Sequence, residues 1–183
     1  PGVAIELAQK IYEDLSPRRF LILGAGETSG IFYDLLVARG AMNIEVVNRT
    51  LERAQGLCRR GGQALPWEQM EARLAKADIV VSAVSSDTPV ITRDMAKAAL
   101  HKRRGQPLFF LDLGIPRNVD PKVGDLDGAF LYAVDDLQEI AERNRQERHK
   151  DVGPAMEILE SELEEFLAWY GALAVVPTIT SLR

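Results

Sequence analysis

The chain holds one cysteine and two histidines in 183 residues, and aromatic side chains make up only 7% of it. Cys58 has no partner for an internal disulfide, which agrees with a reducing compartment. His101 follows a helical run and His149 sits in a charged stretch, so both read as solvated side chains and no metal site is expected. No apolar run approaches the ~20 residues that span a bilayer. The first residues also lack the layout of a secretory signal, so a cytoplasmic location with no membrane partner is the default expectation. Positive charge is not in excess: a formal charge of −5 and a pI near 5.2 argue against a broad nucleic-acid surface on this piece. Internal repeats and low-complexity segments are lacking too. What remains is 46% hydrophobic and 27% charged, the composition of a soluble chain with one full core plus a fragment of a second domain.

The most informative stretch is Phe20-Leu21-Ile22-Leu23-Gly24-Ala25-Gly26-Glu27-Thr28-Ser29-Gly30, a buried strand running into a glycine-rich turn and then a helix. A Rossmann domain begins in this way. Gly24 would allow the tight turn, Gly26 would let backbone approach a pyrophosphate, and Gly30 would let the helix pack close to the strand. The helix N-terminus adds free N–H groups for phosphate. The spacing is G-x-G-x-x-x-G, one residue longer than the commonest fingerprint, so its flanks matter more than the string.

A helix over Ile31–Arg39, a stop at Gly40 and a second strand over Asn43–Val47 follow. An NAD-specific site usually has Asp or Glu at the end of that strand, for the ribose 2′-OH. This chain has Asn48-Arg49-Thr50, with Arg53 one helical turn on. Guanidinium groups suit a 2′-phosphate, so the expected cofactor is NADPH. The alternative is that Asn48 to Thr50 caps the next helix and Arg53 is a solvated surface residue; Thr50 can cap while the loop binds phosphate.

Further along, Leu51–Arg60 reads as a helix ending at Gly61-Gly62, Gln63–Leu65 as a short strand, and Pro66 as the first turn of a helix reaching about Lys76. Asp78–Val84 is an almost continuously apolar, β-branched strand, as a parallel strand covered on both faces should be. Thr92–Lys102 is helical, and Leu108–Leu111 and Phe130–Tyr132 are strands. An amphipathic segment over Val3–Leu15 precedes them all. This alternation predicts an α/β fold of the Rossmann type, a doubly wound parallel sheet with ligand outside the carboxyl ends of its strands, followed by a long C-terminal helix.

By the same rule, Ser82-Ala83-Val84-Ser85-Ser86 should face the nicotinamide half of the cofactor, or else serve turn and capping chemistry ahead of Pro89. Asp112 and Gly114-Ile115-Pro116-Arg117 would shape the same pocket or form a rigid brace, with Arg117 pairing with Asp112 or Asp120 in the second case. The expected cofactor contacts are thus Gly24, Ala25, Gly26, Glu27, Thr28, Asn48, Arg49, Thr50, Arg53, Ser82, Ala83, Val84, Asp112 and Gly114. Cys58 lies within a predicted helix and reads as a small buried hydrophobe, not a reactive thiol.

From Asp135 strand signals stop and a long helical pattern begins, almost wholly polar over Glu142–Lys150 and so poorly suited to burial. Gly153-Pro154 marks a kink or break, and Val175-Val176-Pro177-Thr178-Ile179 has apolar character without room for its own core. The expected division is 1–134, the cofactor domain, and 135–183, a spinal helix with the truncated start of a helical dimerisation domain.

Several strings together resemble the glutamyl-tRNA reductase family: Gly24-Ala25-Gly26-Glu27, Asn48-Arg49-Thr50-Leu51-Glu52-Arg53-Ala54, the run from Asp112 to Asp120, Asp135-Asp136-Leu137, and the closing Val175 to Ile179. The resemblance covers nearly the whole chain. It implies an NADPH-dependent reduction of tRNA-bound glutamate to glutamate-1-semialdehyde, begun by a cysteine in an N-terminal domain absent from this chain. It also implies glutamyl-tRNA bound through the missing domains, a homodimer in the full-length protein, and glutamate-1-semialdehyde aminomutase as a partner. Two departures stand out: Thr28-Ser29 where the family usually has Met-Gly, and Asn118 where Asp is commoner. The rival readings are a shikimate-dehydrogenase-like NADP oxidoreductase fragment and a non-catalytic dinucleotide-sensing dimerisation module.

Overall fold

A computed structural model describes residues 1–146 and residue 162. By its contacts the chain divides into two units, Pro1–Glu139 and Ile140–Arg183. The first opens with helix α1 (Gly2–Tyr12) and then alternates strand and helix: β1 (Arg19–Leu23), α2 (Glu27–Ala38), β2 (Asn43–Asn48), α3 (Leu51–Leu57), β3 (Gln63–Pro66), α4 (Met70–Leu74), β4 (Ile79–Ser82), α5 (Arg93–Lys102), β5 (Leu108–Asp112) and β6 (Ala129–Ala133). All six strands are parallel, in the order β3-β2-β1-β4-β5-β6. That is the doubly wound Rossmann order, whose switch point lies between β1 and β4.

Residues one apart on a strand face opposite ways, and both faces of this sheet are covered. Phe20 and Ile22 of β1 join Ile44, Val46, Ile79, Val81 and α1 and α2 on one side, whereas Leu21 and Leu23 join Leu65, Val80, Phe110, α4 and α5 on the other. Each of those four β1 side chains is no more than 1% exposed. Burial of such a side chain contributes about 1.5–3 kcal/mol, which is why the strand is apolar without interruption.

Local detail departs from expectation at several points. Helix α1 stops at Tyr12, before Leu15, because Glu13 adopts a left-handed φ of 54° and turns its N–H back to Gln9 O at 2.7 Å. Pro66 ends β3 and is also the N-cap of a three-ten turn, Trp67–Gln69, that leads into α4, so the expected helix starts there but reaches only Leu74; as β3 is an edge strand, the missing N–H costs the sheet little. Helix α3 ends at Leu57, and Cys58–Arg60 tighten into a three-ten turn before Gly61 and Gly62, whose φ values of 126° and 81° stop the helix. Cys58 is half-buried beside the core, and burial pushes its thiol pKa up, so thiolate is disfavoured. His101 is exposed.

At the end of the first unit residues 134–139 are helical, and in the second unit residues 140–146 are helical, with Arg145 3.5 Å from Glu142 one turn away. His149, the Gly153-Pro154 break and the apolar stretch from Val175 lie outside the described residues. Among those described, no helix is long and apolar enough to cross a membrane, and no cluster of His, Cys, Asp and Glu is placed to hold a metal.

One buried cation closes the amino-terminal edge of the sheet. Arg103, 7% exposed, donates to the carbonyls of Ala77, Gln106 and Pro107 and pairs with Asp78 at 3.3 Å. Removing it strands those carbonyls and leaves Asp78 without its cation. Arg103→Ala should therefore lower the unfolding free energy by about 3 kcal/mol, read as a lower urea midpoint.

Candidate dinucleotide site

The carboxyl ends of β1, β2 and β4 meet around a cavity of about 260 Å³, lined by Gly24, Ala25, Gly26, Asn48, Arg49, Thr50, Arg53, Trp67, Ala83, Val84 and Ser85. Larger cavities, of about 420 and 780 Å³, lie at the amino ends of the strands. The fold binds its ligands at the carboxyl ends, so the smaller cavity is the candidate.

The two glycines of the turn are required for different reasons. Gly24 has φ +101°, and a Cβ there would lie 2.6 Å from Ala83 O, so both backbone and neighbour exclude a side chain. Its N–H donates to Val47 O at 2.8 Å, while Ala83 N–H donates to Leu23 O at 3.0 Å, tying β1 to the strands on either side. Gly26 is exposed, has φ −90° and ψ −174°, and would place a Cβ in open space. Neither conformation nor protein packing calls for glycine there. Glycine leaves the backbone bare toward the cavity, and Gly26 is also the N-cap of α2, whose first N–H groups have no partner within the helix.

The third glycine has a different role from the one its spacing suggested. A Cβ on Gly30 would meet only Leu57 Cδ1 at 3.8 Å, an ordinary contact. The fully buried neighbour in the first turn of α2 is Ser29, whose hydroxyl finds no partner among the described residues. Ser29 stands three residues after Gly26, the usual place of the third glycine, so the small residue is present without being glycine.

At the end of β2, Asn48 Nδ2 donates to Thr50 O at 2.8 Å and shapes the loop. Thr50 is the N-cap of α3 but its side chain makes no capping bond, contrary to the capping expectation. The Arg49 guanidinium lies 5.5 Å over the Trp67 ring, and Arg49 and Arg53 line the cavity with no carboxylate partner among the described residues. Trp67, unflagged by any sequence motif, reaches the site because β3 pairs beside β2 and delivers the following turn there.

The remaining expected contacts sit elsewhere. Glu27 is exposed and Thr28 partly so, and neither lines the cavity. Ser82 and Asp112 are buried and bonded inward. Asp112 accepts from the N–H groups of Gly114 at 3.1 Å, Asn118 at 2.8 Å and Val119 at 2.9 Å. Burial pushes its carboxyl above the ordinary value, and those same bonds pull it down. Gly114 is buried against the Asn118 carboxamide, which a Cβ would overlap. Arg117 pairs with neither Asp112 nor Asp120 but with Asp135 at 3.3 Å, because both Asp112 oxygens are already engaged by backbone.

Alanine at the two turn glycines should separate folding from binding. Gly24→Ala should lower thermal stability by about 1–3 kcal/mol, the range for a forced left-handed or clashing backbone. Gly26→Ala should leave the melting temperature of the free chain within a degree or two, roughly the effect of a neutral surface change, while dinucleotide affinity falls on titration.

A family model described as shikimate / quinate 5-dehydrogenase matches residues 6–140, and a domain of this type implies a dinucleotide cofactor. A glutamyl-tRNA reductase of Priestia megaterium is 42% identical over 181 residues, covering 98% of this chain and 41% of that protein. The glutamyl-tRNA reductase structure from Methanopyrus kandleri superposes with a TM-score of 0.79 at 35% identity, over 89% of this chain and 41% of that one. The nucleotide-binding domain of the Thermoplasma volcanium glutamyl-tRNA reductase shares the fold, with a TM-score of 0.61 at 16% identity over 81% of this chain and 95% of that one. The chain spans about two fifths of the length of the curated relatives it matches. It belongs to the shikimate / quinate 5-dehydrogenase family, and within that family it aligns with glutamyl-tRNA reductases at 36–42% identity.

Proposed function

We propose that the chain is the NADPH-binding portion of a glutamyl-tRNA reductase, which reduces tRNA-bound glutamate to glutamate-1-semialdehyde on the route to 5-aminolevulinate and tetrapyrroles. The cofactor specificity rests chiefly on one observation: where an NAD site carries a carboxylate, Arg49 and Arg53 line the cavity without an acidic partner among the described residues. A 2′-phosphate meets charge-assisted donors there. Trp67 beneath Arg49 restrains the guanidinium before ligand arrives, which reduces the ordering cost of binding.

In this reading the backbone at Gly24 to Gly26 and the first turn of α2 hold the pyrophosphate, with Ala25, Glu27 and Thr28 contributing backbone. Asn48, Arg49, Thr50 and Arg53 hold the adenosine 2′-phosphate half. Ala83 and Val84 border the nicotinamide half, and Ser82, Asp112 and Gly114 support that border from within. Bound NADPH supplies the reducing equivalents for the carbonyl carbon. No residue of this chain is assigned as the nucleophile; Cys58 has its thiol pKa raised by burial and does not line the cavity.

The further features of the relatives' enzyme belong to the same proposal. Residues 1–134 form the cofactor domain, and 135–183 the spinal helix leading into a helical dimerisation domain, so the whole protein is a homodimer. Glutamyl-tRNA binds through other domains, the semialdehyde passes to an aminomutase partner, and the reaction is cytoplasmic. The shikimate-dehydrogenase-like alternative shares the domain family, but its relatives at 36–42% identity favour the reductase.

Calorimetric titration of the chain with NADPH and with NADH tests the cofactor reading: NADPH should bind the more tightly. Arg49→Ala should weaken NADPH about ten- to a hundredfold, the equivalent of one charged hydrogen bond, and change NADH little. Equal losses for both cofactors would assign Arg49 a structural role and overturn the specificity argument.

A further inference from the structure

The loop after β4 forms one wall of the candidate cavity, through Ala83, Val84 and Ser85. Its position is set by a residue that does not line the cavity. Asn118 is fully buried, and its Oδ1 accepts from the Val84 N–H at 2.9 Å and from the Ser82 hydroxyl at 3.1 Å. Its Nδ2 donates to Pro116 O at 3.3 Å. Val84 N–H can only donate and Pro116 O can only accept, so the carboxamide has one satisfactory orientation.

The backbone of Asn118 is held as firmly. Its N–H donates to Asp112 Oδ2 at 2.8 Å, and its carbonyl accepts from Val90 N–H at 2.7 Å and Ile91 N–H at 3.0 Å. Gly114 leaves the space that the carboxamide fills, since any Cβ there would overlap it. Three segments, the loop after β4, the loop after β5 and the stretch before α5, therefore meet at one residue, the first two through its side chain and the third through its backbone carbonyl. Across the cavity from that latch, a Cβ on Gly24 would lie 3.0 Å from Val84 Cγ1, so the wall and the glycine turn already approach closely. A small drift of Val84 would narrow the space between them.

We propose that Asn118 is a positioning residue for the cofactor, fixing the Val84 loop where the nicotinamide half of the dinucleotide must pass. The proposal rests on the dinucleotide reading of the cavity. It makes a directional claim: Asn118 acts on the β4 side of the site and not on Asn48 to Arg53, which belong to β2 and α3. Ligands that contact only the second group should not respond to it. Replacing the carboxamide with an isosteric apolar group removes both acceptor bonds, whereas a carboxylate keeps the oxygen that both donors meet and loses only the Nδ2 bond to Pro116 O.

The test compares NADPH with adenosine 2′,5′-bisphosphate, which has the adenine and the 2′-phosphate but no nicotinamide, in calorimetric titrations of the full chain. Asn118→Leu should weaken NADPH about tenfold, a difference of about 1.4 kcal/mol, and leave the bisphosphate within about twofold. Asn118→Asp should lie closer to the parent chain than Asn118→Leu does, because it restores the acceptor. Should Asn118→Leu not fold, Ser82→Ala removes one of the two donors and should shift NADPH alone, by a smaller factor. Equal weakening of both ligands, or of neither, overturns the positioning role. Failure of the parent chain to bind either ligand would instead overturn the dinucleotide reading on which the proposal stands.

Discussion

The passage of the chain through Gly24 is the constraint on which the site depends. β1 must lie between β2 and β4, and its exit passes so close to the backbone of Ala83 that a Cβ on Gly24 would clash with Ala83 O at 2.6 Å. Only glycine satisfies the left-handed φ and that approach together. Once it is in place, the Gly24 N–H meets Val47 O and Ala83 N–H meets Leu23 O, so the ends of three neighbouring strands are locked in register. The helix that follows then starts at Gly26 with its N–H groups directed at the switch point.

Around that turn the polar groups sort into two sets by burial. Arg49 and Arg53 are exposed and unpaired with acid among the described residues, and Trp67 braces Arg49 from below, so their charge is available to a ligand. Ser82, Asp112 and Asn118 are buried and satisfied by one another and by backbone. A buried polar group without a partner costs more than the bond it could make, which is why these three turn inward. The first set suits recognition of an anionic ligand, and the second gives the loops a fixed shape. The chain's net charge of −5 conceals this division, because it averages over surfaces with different jobs.

Much of the fold was legible because it rests on local patterns. Uninterrupted apolar runs at Phe20–Leu23 and Ile79–Val81 mark strands buried on both faces, and glycine at 24 and 26 marks the turn between the first strand and its helix. Expectation failed where a residue's role depends on a neighbour distant in sequence. Gly30 reads as the third glycine of the fingerprint, yet the fully buried position is that of Ser29 beside it. Pro66 does precede a helical turn, but it also ends an edge strand, which no local pattern announces. Thr50 has the right chemistry for a cap, yet its hydroxyl makes no capping bond, and the loop is shaped by Asn48 Nδ2 donating to the Thr50 carbonyl.

The sequence by itself determined the order of strands and helices, the parallel character of the sheet and the end of it at which a ligand would lie. Those follow from residue spacing and backbone conformational limits, which act over a few residues. Only the tertiary structure decided that Trp67 joins the site, that Arg117 pairs with Asp135, and that Asn118 braces the Val84 loop. These contacts bring together residues 18 or more positions apart, as between Arg117 and Asp135 or across the 34 positions from Val84 to Asn118. Hydrogen bonding and packing at such range depend on strand order and register, which place partners that no local pattern of residues can specify.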